Sequence, residues 1–122
     1  MGQSPRRLRE DPHVLAHLLE TFVVAELRKQ AAWQDTHVEW FHFRTLHTQR
    51  EVDVVLEDPA GRIVGVEIKA TATPVARDFA GLRELEETTG KKFQAGIVLS
   101  LAPEPVPFGD RLQTMPVSAV WQ

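Results

Sequence analysis

The 122-residue sequence has no cysteine, which excludes disulfides and thiolate metal sites and suits a reducing compartment. It has no run long and apolar enough to span a membrane. The arginines of "MGQSPRRLRE" are not followed by the apolar core of a secretory signal, and the sixth residue is not the Ser or Thr of a myristoylation signal. No G-x-x-x-x-G-K-[ST] segment occurs, so ATP binding through such a loop is excluded. Positive charge is not in excess: 14 Lys and Arg stand against 17 Asp and Glu, a formal net charge of −3. That balance makes no electrostatic case for nucleic acid by itself, although a local basic patch is compatible with it. Internal repeats, low-complexity segments and interdomain linkers are also missing. The composition, 43% hydrophobic and 25% charged, is that of one soluble domain with a single core, expected to be cytoplasmic.

The pattern along the chain reads helix, three strands, helix, strand, then a short tail element. Residues 1–10 form a basic arm and 11–122 the domain. Asp11 and Pro12 suit a helix start, and Leu15, Leu18, Leu19, Phe22 and Val23 recur at helical spacing behind them. Arg28 and Lys29 suit the C-terminal end of that helix. "VEWFHFRT", "REVDVVLE" and "GRIVGVEIKA" read as strands. "TPVARDFAGLRELEETTG" reads as a second helix stopped at Gly90. "FQAGIVLS" suits a strand covered on both faces. The proline-rich "LAPEPVPFGD" reads as a loop with Phe108 packed inward, followed by a short strand near "LQTMPV" and a turn at "SAVW".

Asp53, Glu67 and Lys69 stand inside otherwise apolar strands, where an unpartnered charge is costly. The turn "DPAG" has the preferences of a type I turn closed by a left-handed glycine. It sets Asp58 opposite Arg62, Glu51 opposite Lys69 and Asp53 opposite Glu67. Alternation then puts Asp53, Glu67 and Lys69 on one face. Val52, Val54, Leu56, Val64, Val66 and Ile68 fall on the other, as core. Gly65, opposite Val55, would leave room for a ligand on the charged face. Like charges directly opposite one another destabilise a hairpin by up to about 1 kcal/mol. A divalent cation, a shared proton or an interposed Lys69 would offset that. The bland alternative is a surface salt-bridge cluster with Lys69 paired to Glu51.

An aspartate followed about a dozen residues later by Glu-x-Lys, on this order of elements, resembles the PD-(D/E)XK nuclease superfamily. That resemblance implies an α-β-β-β-α-β restriction-endonuclease-like core. It implies Asp53 and Glu67 as ligands of Mg²⁺ or Mn²⁺ and Lys69 as the catalytic lysine. Archaeal Holliday junction resolvases add a glutamate from the first helix, which places Glu20 at the site as a further ligand or base, with Glu26 as a competitor. Over nearly the whole chain, "LLETFVVAELRKQ", "FHFRT", "REVDVVLE", "GVEIKATAT", "DFAGLREL" and "PFGDRLQTMPVSAVW" look like the C-terminal domain, of unknown function, of prokaryotic AAA+ family ATPases. The implied reading is a Mg²⁺-dependent DNA phosphodiesterase domain without its ATPase part, either free-standing or excised. The alternative is a non-catalytic interaction or regulatory module that keeps the fold. The expected partners are DNA and an ATPase module or subunit, with no membrane; a homodimer is compatible.

Other residues carry weaker signals. His13 and His17 are four apart on the first helix, on the side away from its apolar stripe, and His37, His42 and His47 have no regular ligand spacing. Arg6, Arg7, Arg9, Arg44, Arg50, Lys91 and Lys92 are scattered and expected on a solvated surface. Trp33, Trp40 and Trp121 are expected to pack rather than to stack on bases.

Overall fold

The computed structural model describes residues 38–121, together with Val24 and Glu26 of the N-terminal segment. The expected arm, most of the first helix, Glu20, His13, His17, His37 and Trp33 lie outside the described residues. Val24 and Glu26 are helical, in line with the amphipathic pattern of that segment.

The elements are β1 (Glu39–Arg44), β2 (Glu51–Glu57), β3 (Ile63–Ile68), a 3₁₀ turn (Ala76–Phe79) running into α1 (Ala80–Thr89), β4 (Phe93–Ser100), β5 (Pro107–Gly109), β6 (Leu112–Pro116) and a 3₁₀ tail (Val117–Trp121). The strands make one six-stranded sheet in the order β1-β2-β3-β4-β6-β5. The β1–β2–β3 meander is antiparallel. The strands β3, β4 and β6 are parallel neighbours, and β5 closes the far edge antiparallel to β6. The chain is thus a mixed α/β domain. Among the described residues no helix is long and apolar enough to cross a membrane.

One element departs from the expected pattern. The segment "PFG", expected within a loop, is the short strand β5. Proline supplies no ladder donor, so it is tolerated at the start of an edge strand, and here Pro107 pairs with Gln113. Phe108 does pack inward, stacked on Phe79 with ring centroids 4.7 Å apart.

The sheet is apolar on both faces. Val52, Val55, Ile63, Phe79, Leu82, Leu85, Phe93, Val98 and Leu112 form the core under α1. On the other face Val54, Val66, Ile68, Leu99 and Val120 cluster, with Val24, Trp40, Leu56 and Val64 packed against them. Val52 therefore belongs to the face opposite Val54, a correction to strict alternation. The cause is an irregularity in the β1–β2 ladder between Phe41 and Phe43: Phe41 pairs with Val55 but Phe43 pairs with Val52, so β2 gains a residue and turns there. Gly65 is corrected as well. A Cβ placed on it would come within 2.7 Å of a Leu82 methyl and 2.8 Å of a Leu85 methyl. The space beside Gly65 is helix-packing space, not ligand space.

Candidate functional site

Over its turn half the hairpin has the expected register, while the expected pairs Asp53–Glu67 and Glu51–Lys69 are not part of the ladder. Val54 pairs with Val66, Val55 with Gly65, Leu56 with Val64 and Glu57 with Ile63. Asp58 opens the turn: its carboxylate accepts from the N–H groups of Ala60 (3.0 Å) and Arg62 (2.8 Å) and from Arg62 Nε (2.6 Å). Gly61 takes the left-handed φ of 84° that the turn needs.

Beyond Val54 and Val66 the paired ladder stops, and side chains take its place. The Ile68 N–H donates to Asp53 Oδ2 at 2.8 Å, and the Asp53 N–H donates to Glu67 Oε1 at 3.0 Å. Each carboxylate thereby satisfies a backbone donor of the opposite strand, which orients it. On its other side β3 stays anchored to β4, with the Lys69 N–H donating to the Leu99 carbonyl at 2.9 Å. Lys69 Nζ lies 3.8 Å from Glu67 Oε2. Glu51 pairs with Arg44 at 2.8 Å, so the surface pairing of Lys69 with Glu51 is not what forms. The structure brings Asp53, Glu67 and Lys69 together.

Glu67 is only 7% exposed. Burial pushes its carboxyl up to about 9. A hydrogen bond with the Asp53 carboxyl and repulsion from its charge add to this, while Lys69 and the Asp53 N–H pull the other way. Two carboxyl groups are thus crowded at one point with a single lysine beside them. The donor set suits a hard divalent cation, which takes carboxylate oxygens and water. Among the described residues no group of three or more His, Asp or Glu converges as metal ligands; the carboxyls that meet here are those of Asp53 and Glu67.

The pair lies in a cleft of about 390 Å³, lined also by Gln49, Arg50, Glu51, Ala70, Arg77, Asp78, Ala80 and Gly81. One wall is the β1–β2 turn, tied to α1 through Thr48 Oγ1, which donates to the Glu84 carboxylate at 2.9 Å. The other is the 3₁₀ turn, where Asp78 Oδ2 accepts the Val75 N–H at 2.8 Å. Gly81 lets α1 approach the β2 end of the cleft: a Cβ there would collide with the Glu51 carbonyl oxygen.

Glu26 is half-buried, has an interaction partner and does not line this cleft. His42 and His47 are exposed, as are Arg44, Lys91 and Lys92, while Trp40 is half-buried against the second core. Arg77 was not among the residues singled out from the sequence. Its signal was its position just before a helix start, which brings a side chain to the rim of whatever the helix end faces.

The fold and cleft define a mixed α/β domain whose paired carboxylates sit at the open end of a hairpin. The model of a domain of unknown function (DUF4143) matches residues 15–120, and the chain belongs to that family. No curated protein and no solved structure matches it.

Proposed function

We propose that the domain is a metal-dependent phosphodiesterase of the PD-(D/E)XK type acting on DNA, related to the C-terminal part of AAA+ ATPases. The observation that carries this reading is the convergence of Asp53, Glu67 and Lys69 in one cleft, with both carboxylates pinned by backbone donors of the opposite strand. Asp53 and Glu67 would hold Mg²⁺ or Mn²⁺, with Glu20, outside the described residues, as a further ligand or base. Bound there, the metal would supply Lewis-acid activation of water and phosphate. Lys69 is 41% exposed at its side chain and anchored through its backbone to β4. Its ammonium can meet a phosphoryl oxygen and stabilise charge developing on it. The metal must displace the Glu67 proton, so binding strengthens as pH rises.

The test is calorimetric titration of Mg²⁺ and Mn²⁺ into the wild type and Asp53→Ala, with cleavage of linear and branched DNA assayed alongside. Metal binding that depends on Asp53, together with metal-dependent cleavage, supports the reading; absence of both in the wild type overturns it. A second reading, a non-catalytic interaction or regulatory module, is favoured by one observation. The crossed N–H bonds satisfy both carboxyls within the hairpin, and burial pushes the Glu67 carboxyl up, so the pair can serve as a structural unit without metal.

A further inference from the structure

Four carboxylates line the cleft, and each is already engaged. Glu51 is paired with Arg44, Asp78 accepts the Val75 N–H, and Asp53 and Glu67 accept the Ile68 and Asp53 N–H groups. Three cations line it too: Arg50, Lys69 and Arg77. Lys69 leans toward Glu67. Among the described residues the guanidinium groups of Arg50 and Arg77 have no ion pair or hydrogen-bonded partner, although both sit beside carboxylates. Both residues are exposed, so neither is needed for packing.

Their backbones are held firmly. Arg50 closes the β1–β2 turn: its N–H donates to Thr45 Oγ1 at 3.0 Å and its carbonyl accepts the Thr45 N–H at 3.0 Å. Thr48 in the same turn is fixed to Glu84 of α1. Arg77 sits in the 3₁₀ turn that leads directly into α1, between the Val75–Asp78 hydrogen bond and the buried Phe79. Both walls of the cleft are therefore braced on one helix. Two planar five-donor groups, without a partner among the described residues and lining the same cleft as the carboxylate pair, suit the phosphates of a diester backbone.

We infer that Arg50 and Arg77 are positioning residues that hold the sugar-phosphate backbone of a nucleic acid in the cleft that also holds the Asp53–Glu67–Lys69 cluster. This rests on the phosphodiesterase reading and adds the side chains that would seat the substrate. It also answers the net charge of −3: binding would come from a local pair of cations rather than from a basic surface.

The test is binding of a short fluorescent DNA duplex, and of its single strand, in EDTA across a series of salt concentrations. The proteins are the wild type, Arg50→Ala, Arg77→Ala, Arg50→Lys, Arg77→Lys and the control Lys92→Ala, which lies outside the cleft. Each arginine-to-alanine change should weaken duplex binding about tenfold and flatten the log–log salt slope by about 0.9, or about 0.7 for the single strand, because one fewer phosphate is neutralised. The lysine variants should keep most of the slope, and Lys92→Ala should match the wild type. Wild-type binding with unchanged slopes in both alanine variants would overturn the clamp and leave the phosphodiesterase reading standing. A wild type that neither binds DNA nor cleaves it with metal would remove that reading and the clamp with it. Equal weakening by Lys92→Ala would show diffuse attraction and overturn the clamp alone.

Discussion

The two ends of the β2–β3 hairpin use carboxylates in opposite ways. At the turn, Asp58 faces three donors, the N–H groups of Ala60 and Arg62 and the Arg62 guanidinium. The Arg62 N–H, and then the guanidinium, hold its carboxyl below the usual value. At the open end, Glu67 is buried beside another carboxyl and is pushed up instead. The strands, the register and the residue chemistry are shared; the ratio of donors to acceptors differs. At the turn one carboxylate takes all three donors and is a structural fastener. At the open end two carboxyls share three donors, the Ile68 and Asp53 N–H groups and Lys69, and burial adds to the crowding; a perturbed pair in a cleft is the physical content of a candidate site.

Four perturbations press on this contrast, from the largest effect to the smallest. Asp53→Ala removes one of the two proposed ligands and the acceptor of the Ile68 N–H. Metal affinity measured by calorimetry should fall by about 1000-fold, about 4 kcal/mol. The matching change at the turn, Asp58→Ala, should leave metal affinity unaltered; a loss there would erase the distinction between the ends. Gly81→Ala drives a methyl into the Glu51 carbonyl and should lower unfolding stability by about 1–3 kcal/mol in a denaturant titration.

The third perturbation is pH. The folded carboxyl of Glu67 is pushed up to about 9, above the ordinary glutamate value of 4.5. Between those values the folded state binds more protons than the unfolded chain, so Glu67 makes stability fall as pH rises through that window. Glu67→Gln, which cannot ionise, should flatten the decline of melting temperature between acid and alkaline buffer. An unchanged slope would mean that Glu67 ionises at no cost. Asp58 has the reverse sign: its folded value is lowered from 3.8, so its contribution is present above that value and is lost as pH falls below it. Asp58→Asn should therefore show the smallest effect, a slight loss of melting temperature at neutral pH that vanishes in strong acid.

Much of this arrangement was legible before the structure. The "DPAG" turn counted the pairing correctly as far as Val54 and Val66, because a short loop fixes the register next to it, and Gly90 ended α1 as expected, with φ at 57°. What escaped was non-local. Val52 changed faces because of an irregularity set against β1, which no pattern within β2 announces. The Pro107 strand exists because β6 offers it an edge. Gly65 suggested a ligand space only so long as Leu82 and Leu85 were not known to fill it. Arg77 is near the site through α1 packing on the sheet, a contact between residues far apart in sequence.

The crossed hydrogen bonds at the open end have one more consequence. Two amide protons, those of Asp53 and Ile68, are held by the very carboxylates that would bind a proton or a metal. In an ¹⁵N-labelled sample these amides become a built-in gauge. Whatever occupies the carboxylates draws electron density from the oxygens and should shift both amide resonances together, while the Asp58-bound amides of the turn stay in place as an internal reference. Occupancy could thus be followed through the backbone, with no substrate in the tube and no turnover needed.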